Sequence, residues 1–143
     1  AALYGGVALA NAGVTACHAL AYPLGGMFGV PHGTANALLL PHVARWNALA
    51  SPARFAQAAS LLGYVREEGV PDHVAAMFCS EALDDLVNDL GLPAMLQDLK
   101  VGIGEENLEE MATKAMGVSR PMENNPRVMT KNDCIKIYRE AMM

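Results

Sequence analysis

The stretch DHVAAMFCSEALDDLVNDL, residues 72–90, carries the clearest periodicity in the chain and decides the fold class. Phe78, Ala82, Leu86 and Leu90 recur at helical spacing, and Glu81, Asp84, Asp85 and Asn88 fall between them. A strand would need alternation with a period of two; a period near 3.6 predicts an amphipathic helix. Gly91 and Pro93 end it. The same reading works outward in both directions. Ser51-Pro52 supplies an N-cap and a first-turn proline, so a helix is expected through Phe55, Ala58, Ala59 and Leu62, closed by Gly63. Leu108, Met111, Ala112 and Ala115 form an apolar stripe over 105–116, with Glu105 and Glu106 where the helix dipole favours anions. Thr130 to Asp133 reads as a capping box with Asp in place of the usual Glu, opening a last helix through Ile135 and Tyr138.

Towards the N-terminus, an Ala-rich segment from Leu3 to Tyr22 is expected to be helical and to stop at Pro23 with Gly25-Gly26. A second helix is expected from Pro31–Thr34 to Asn47, kinked or split by Pro41. On a single helix Asn11, Thr15, His18 and Tyr22 would share one face. The whole is an all-α helical bundle of about six to eight helices forming one domain over 1–143, since 143 residues suffice for one core.

Charge narrows the function. The net charge is -5 and there is no basic run, which argues against a nucleic-acid partner because phosphate binding needs a cationic face. Arg45 is the sole Asp, Glu, Lys or Arg among the first fifty residues, yet Asn11, His18, Pro23 and His32 interrupt that stretch well short of a membrane span. Burial is the better reading, partly beneath a neighbouring domain or subunit. Three widely spaced cysteines, Cys17, Cys79 and Cys134, suggest neither a disulfide framework nor a thiolate cluster, and a cytoplasmic setting is expected. The chain begins at Ala1 without a signal-peptide pattern and reads as the inside of something longer.

His18 and His32 flank a Gly/Pro-rich connection in the uncharged region. Two imidazoles at a helix end and the next helix start can serve one borderline divalent ion, although hydrogen-bonded structural histidines satisfy the same spacing. The surrounding words are more specific: Cys17-His18, then Tyr22-Pro23-Leu24-Gly25, Pro31-His32-Gly33, Ala35-Asn36-Ala37, Leu40-Pro41-His42-Val43 and Trp46-Asn47. This wording resembles the signature of the iron-containing alcohol dehydrogenases, and Asn125-Pro126-Arg127 with Thr130 is similar to that family's closing loop.

The resemblance implies the helical C-terminal half of a two-domain dehydrogenase, with His18 and His32 as metal ligands for Fe(2+), or Zn(2+). The remaining Asp and His ligands would come from a preceding segment. It further implies NAD or NADP held by a missing N-terminal nucleotide-binding domain, a small-molecule alcohol or aldehyde substrate, and a chain inactive alone. Tyr22 stands where the family commonly has a second histidine near the reacting alcohol; a phenol of pKa about 10 is no base at neutral pH, so Tyr22 donates a hydrogen bond or packs. A homo-oligomer fits the family. Sister activities on the same architecture (glycerol dehydrogenase, maleylacetate reductase, dehydroquinate synthase) and a non-catalytic interaction or dimerisation module remain alternatives. His42 is expected to make a structural hydrogen bond, His73 to be solvated, and Gly102-x-Gly104 to be a turn, because no strand precedes it and no third glycine follows.

Overall fold

The computed structural model describes residues 2–64 and 66–143. Among them the chain is all-α: nine helical segments and two short 3-10 turns, with no strand. The helices are α1 (Ala2–Ala12), α2 (Ala16–Phe28), α3 (His32–Ala48), α4 (Pro52–Leu61), α5 (Asp72–Ala75), α6 (Phe78–Asp89), α7 (Leu108–Met116), α8 (Ser119–Glu123) and α9 (Lys131–Glu140). Helix α2 lies at the centre between α3 and α7; α9 packs on α7 and also meets α3, α4 and α6 pack on α3, and α5 packs on α4. The core joins Leu20, Leu24, Leu38, Leu39, Met111, Ile137 and Tyr138, all essentially without solvent contact. Tyr138 satisfies its buried hydroxyl by donating to the Leu20 carbonyl at 2.7 Å.

The N-terminal punctuation differs from expectation. The first helix breaks at Gly13, which adopts φ +73°, and the chain turns by 104° between α1 and α2. Asn124 holds that elbow from 110 residues away, its Nδ2 donating to Ala12 O at 2.8 Å and Val14 O at 3.0 Å. Asn11 therefore lies on a different helix from His18 and Tyr22, so the polar stripe expected along one helix is divided, while Thr15 stays one turn before His18 as the N-cap residue of α2. Pro23 does not end α2. A proline forfeits one hydrogen bond, and here burial of Leu20, Ala21, Pro23 and Leu24 outweighs that loss. The helix stops at Gly29, φ +69°, in an αL cap: Gly29 N donates to Gly25 O at 3.0 Å, and Val30 N reaches back to Leu24 O at 3.1 Å. Helix α3 likewise runs through Pro41, which is buried.

The 72–90 segment is helical but shifted in phase. It divides at Ala76-Met77 into α5 and α6, and the buried positions of α6 are Cys79, Ser80, Ala82 and Val87. Leu86 and Leu90 are 45% and 64% exposed, so of the stripe read from the sequence Ala82 alone is fully buried. The stripe of α7 is as expected, with Leu108, Met111, Ala112 and Ala115 all buried. So is the cap of α9: Asp133 N donates to Thr130 Oγ1 at 3.3 Å while Thr130 N donates to Asp133 Oδ2 at 2.8 Å. Gly102 takes φ +74° in an irregular stretch that is not a hydrogen-bonded turn, and His73 is exposed. No single described helix is long and apolar enough to cross a membrane.

Candidate metal centre

The left-handed turn at Gly29 folds the chain back so that His18, in the first turn of α2, faces His32, the first residue of α3. The rings of His18 and His32 consequently approach to 5.3 Å between centroids, tilted by 56°. Tyr22, one turn beyond His18, stacks on His32 at 5.8 Å with 21° between planes. The structure thus brings all three sequence-selected residues, His18, Tyr22 and His32, into one cluster.

What the ring nitrogens are doing decides whether this is a ligand pair. Among the described residues no hydrogen bond involves the His18 ring. For His32, Asn36 Nδ2 lies 3.3 Å from Nδ1 and 3.1 Å from Nε2 while donating to the His32 carbonyl at 2.9 Å. One amide nitrogen cannot sit so close to both nitrogens within the ring plane, because the carbon between them is in the way. Asn36 therefore lies over the ring face. Nitrogen lone pairs lie in the plane, so contacts on the faces from Asn36 and Tyr22 hold the imidazole while leaving its edge free. Neither ring is committed to a main-chain carbonyl.

The protonation state fits as well. Burial, and then the neighbouring His32, lower the pKa of His18 from its ordinary 6.5, which favours the neutral imidazole that ligates metals. Two rings are half of a durable site, since divalent ions usually take three or four protein ligands. Among the described residues no group of three or more His, Cys, Asp or Glu comes together. The pair accordingly fits a divalent ion as a partial donor set open on one side. Cys17, adjacent to His18, is not part of it: burial pushes its thiol up to about 12, so it stays protonated.

Two concavities flank the cluster. His18 and Asn36 line an apolar one of about 400 Å³ together with Leu9, Ala37 and Leu40. Tyr22, 46% exposed, borders a larger, more polar cleft of about 800 Å³ shared with Asn11, Arg120 and Asn124. Helix α1, which walls both, has no buried residue; Leu3 and Tyr4 are 77% and 79% exposed.

Residues 1–142 match the model of the Fe-containing alcohol dehydrogenase family, C-terminal part. The chain belongs to the Fe-containing alcohol dehydrogenase family. Within that family it is 38% identical over 141 residues to the 1,3-propanediol dehydrogenase of Citrobacter freundii, covering 99% of this chain and 35% of that protein. It is 35% identical over 136 residues to the lactaldehyde reductase of Escherichia coli (strain K12), covering 95% and 35%. The crystal structure of a 1,3-propanediol oxidoreductase superposes with a TM-score of 0.88 at 39% identity, covering 96% of this chain and 35% of that one. An alcohol dehydrogenase from Oenococcus oeni gives 0.86 at 37% identity, covering 95% and 34%. The chain thus spans about a third of the length of the Fe-containing alcohol dehydrogenases it matches, the C-terminal third.

Two features of the site were not read as functional in the sequence. Asn36 was visible only as part of a motif, although its position one turn after His32 is the signal for contact with that ring. His42 was expected to hydrogen-bond; its Nδ1 is buried without a partner.

Proposed function

We propose that this chain is the helical, metal-holding part of an NAD(P)-dependent, iron-dependent alcohol dehydrogenase, which interconverts an alcohol and its aldehyde or ketone by hydride transfer. The observation that carries the reading is the convergence of the His18 and His32 rings, both with uncommitted edges, across the α2–α3 junction. Iron(II), or zinc, bound there supplies Lewis acidity towards a substrate oxygen. The chain's own contribution is positional. His18 and His32 present two imidazole donors, Asn36 and Tyr22 hold the second ring by its faces, and no carboxylate of the first fifty residues competes for the ion. Tyr22 acts as a packing partner of His32 and a hydrogen-bond donor at the mouth of the polar cleft.

The remaining ligands, the nicotinamide cofactor and its phosphate-binding loop belong to an N-terminal nucleotide-binding domain, whose contact with α1 explains a helix with Leu3, Tyr4, Val7 and Leu9 all exposed. A small alcohol or aldehyde occupies the cleft between the two. Purified chain given NAD or NADP and a primary alcohol is expected to show no turnover. Grafted in place of the C-terminal third of the Citrobacter freundii relative, it is expected to support iron-dependent oxidation that His32→Ala abolishes. Turnover by the chain alone at ordinary enzyme rates, or a graft indifferent to His32→Ala, overturns the proposal.

A further inference from the structure

A second constellation lies at the other end of α3. A cavity of about 210 Å³ opens between α3, α9 and the loop before α9, lined among others by His42, Arg45, Trp46, Arg127, Lys136 and Glu140. Trp46 is fourteen residues, about 20 Å of helix, beyond His32, so this is a separate place from the histidine pair.

Its lining gathers three of the ten Lys and Arg residues of an acidic chain. Two are offset: Arg45 faces Asp84 at 3.5 Å and Lys136 faces Glu140 at 3.8 Å. Arg127 has no carboxylate partner among the described residues. Its guanidinium stacks 3.5 Å from the centre of the Trp46 ring and donates to the Trp46 carbonyl at 3.2 Å, which leaves further N–H groups unused. Two ring nitrogens of the same lining, Trp46 Nε1 and His42 Nδ1, are buried with no hydrogen-bond partner. The wall therefore holds a cation without a carboxylate partner, and the indole N–H, which can only donate, is buried beside it.

We propose that this cavity binds a small oxyanion of the phosphate class. Arg127 and Lys136 supply the charge-assisted contacts, for which a compact tetrahedral anion offers acceptor oxygens in several directions at once. The exposed ammonium of Lys136 exchanges its 3.8 Å contact with the half-buried Glu140 for the anion. The site carries its own reporter, because Trp46, on which Arg127 stacks, is the only tryptophan. The proposal stands apart from the metal centre.

The test is the emission of Trp46 in the whole chain, titrated with sodium phosphate at constant ionic strength. A saturating change is expected, with sulfate competing and acetate weaker. Lys136→Gln and Arg127→Gln are each expected to weaken the midpoint at least about fivefold, whereas Lys114→Gln on α7 leaves it unchanged. Lys136 is 67% exposed, so its replacement tests the site even if Arg127→Gln disturbs the loop. A response that never saturates, that chloride reproduces, that acetate elicits at lower concentration than phosphate, or that survives Lys136→Gln unweakened overturns the proposal.

Discussion

Replacing Asn125 by alanine should destabilise the chain more than any other single polar deletion. Asn125 and Asn47, both buried, exchange two amide hydrogen bonds, Asn47 Nδ2 to Asn125 Oδ1 at 2.9 Å and Asn125 Nδ2 to Asn47 Oδ1 at 2.8 Å. Asn125 Nδ2 also donates to the Arg127 carbonyl at 2.6 Å, and Asn125 Oδ1 accepts from Ala16 N at 3.4 Å at the start of α2. This one side chain therefore ties the closing loop to the end of α3 and to the helix that carries His18. Asn125→Ala leaves the Asn47 amide as both an orphaned donor and an orphaned acceptor where water does not reach. Each unmet buried group costs about 1–3 kcal/mol, so a loss of about 3–4 kcal/mol is expected. With an unfolding entropy near 2.1 cal/mol/K per residue, that lowers Tm by about 10 °C. Calorimetry of wild type, Asn125→Ala, Asn47→Ala and the double variant measures it. Each single change orphans the other's amide, so the double variant should cost about 2 kcal/mol less than the sum of the two. A loss below about 1 kcal/mol for Asn125→Ala, or strict additivity, refutes the reasoning.

Three further outcomes follow from the same structure. Burial holds the imidazoles of His42 and His18 below their ordinary pKa of 6.5, so the folded state binds fewer protons than the unfolded chain; stability is full above about pH 6.5 and falls as pH drops below it, and a flat Tm profile between neutral and mildly acidic pH, or one that His42→Gln leaves unaltered, contradicts this. Tyr22→His adds an imidazole one turn from His18 and beside His32, and should tighten divalent-metal binding by the isolated chain by about tenfold in calorimetric titration, equivalent to about 1.4 kcal/mol. Thr130→Ala removes the cap of α9 and should cost about 1 kcal/mol, roughly 3 °C in Tm, with Thr130→Ser restoring most of it.

The C-terminal helices were legible because their signals are local: the cap at Thr130–Asp133 and the stripe of α7 need nothing beyond a few neighbouring residues. The N-terminal breaks were not. Pro23 reads locally as a stop and Pro41 as a kink or split, yet both sit inside continuous helices because packing of α2 and α3 in the centre of the bundle prevails over one lost hydrogen bond each. The true break at Gly13 depends on Asn124, a contact that no window around Gly13 contains. Helix α6 was read in the wrong phase for a related reason: its inward positions are small residues, Cys79, Ser80 and Ala82, which permit close approach to α3, while the more conspicuous Leu86 and Leu90 point outward. At the site, His18, His32 and Tyr22 were chosen on motif wording and do cluster. The role of Asn36 was hidden because it rests on which face of an imidazole an amide meets, a matter of three-dimensional geometry.

The account's central claim is that His18 and His32 serve one ion. Imidazole nitrogen NMR of the histidine-labelled chain during a zinc(II) titration tests it directly, since His18, His32, His42 and His73 are the only four histidines. The His18 and His32 nitrogens are expected to shift together at one metal concentration while His42 and His73 stay put, and His18→Ala is expected to move the His32 response to much higher metal. Independent titration of the two rings, or an equal response from all four, contradicts it.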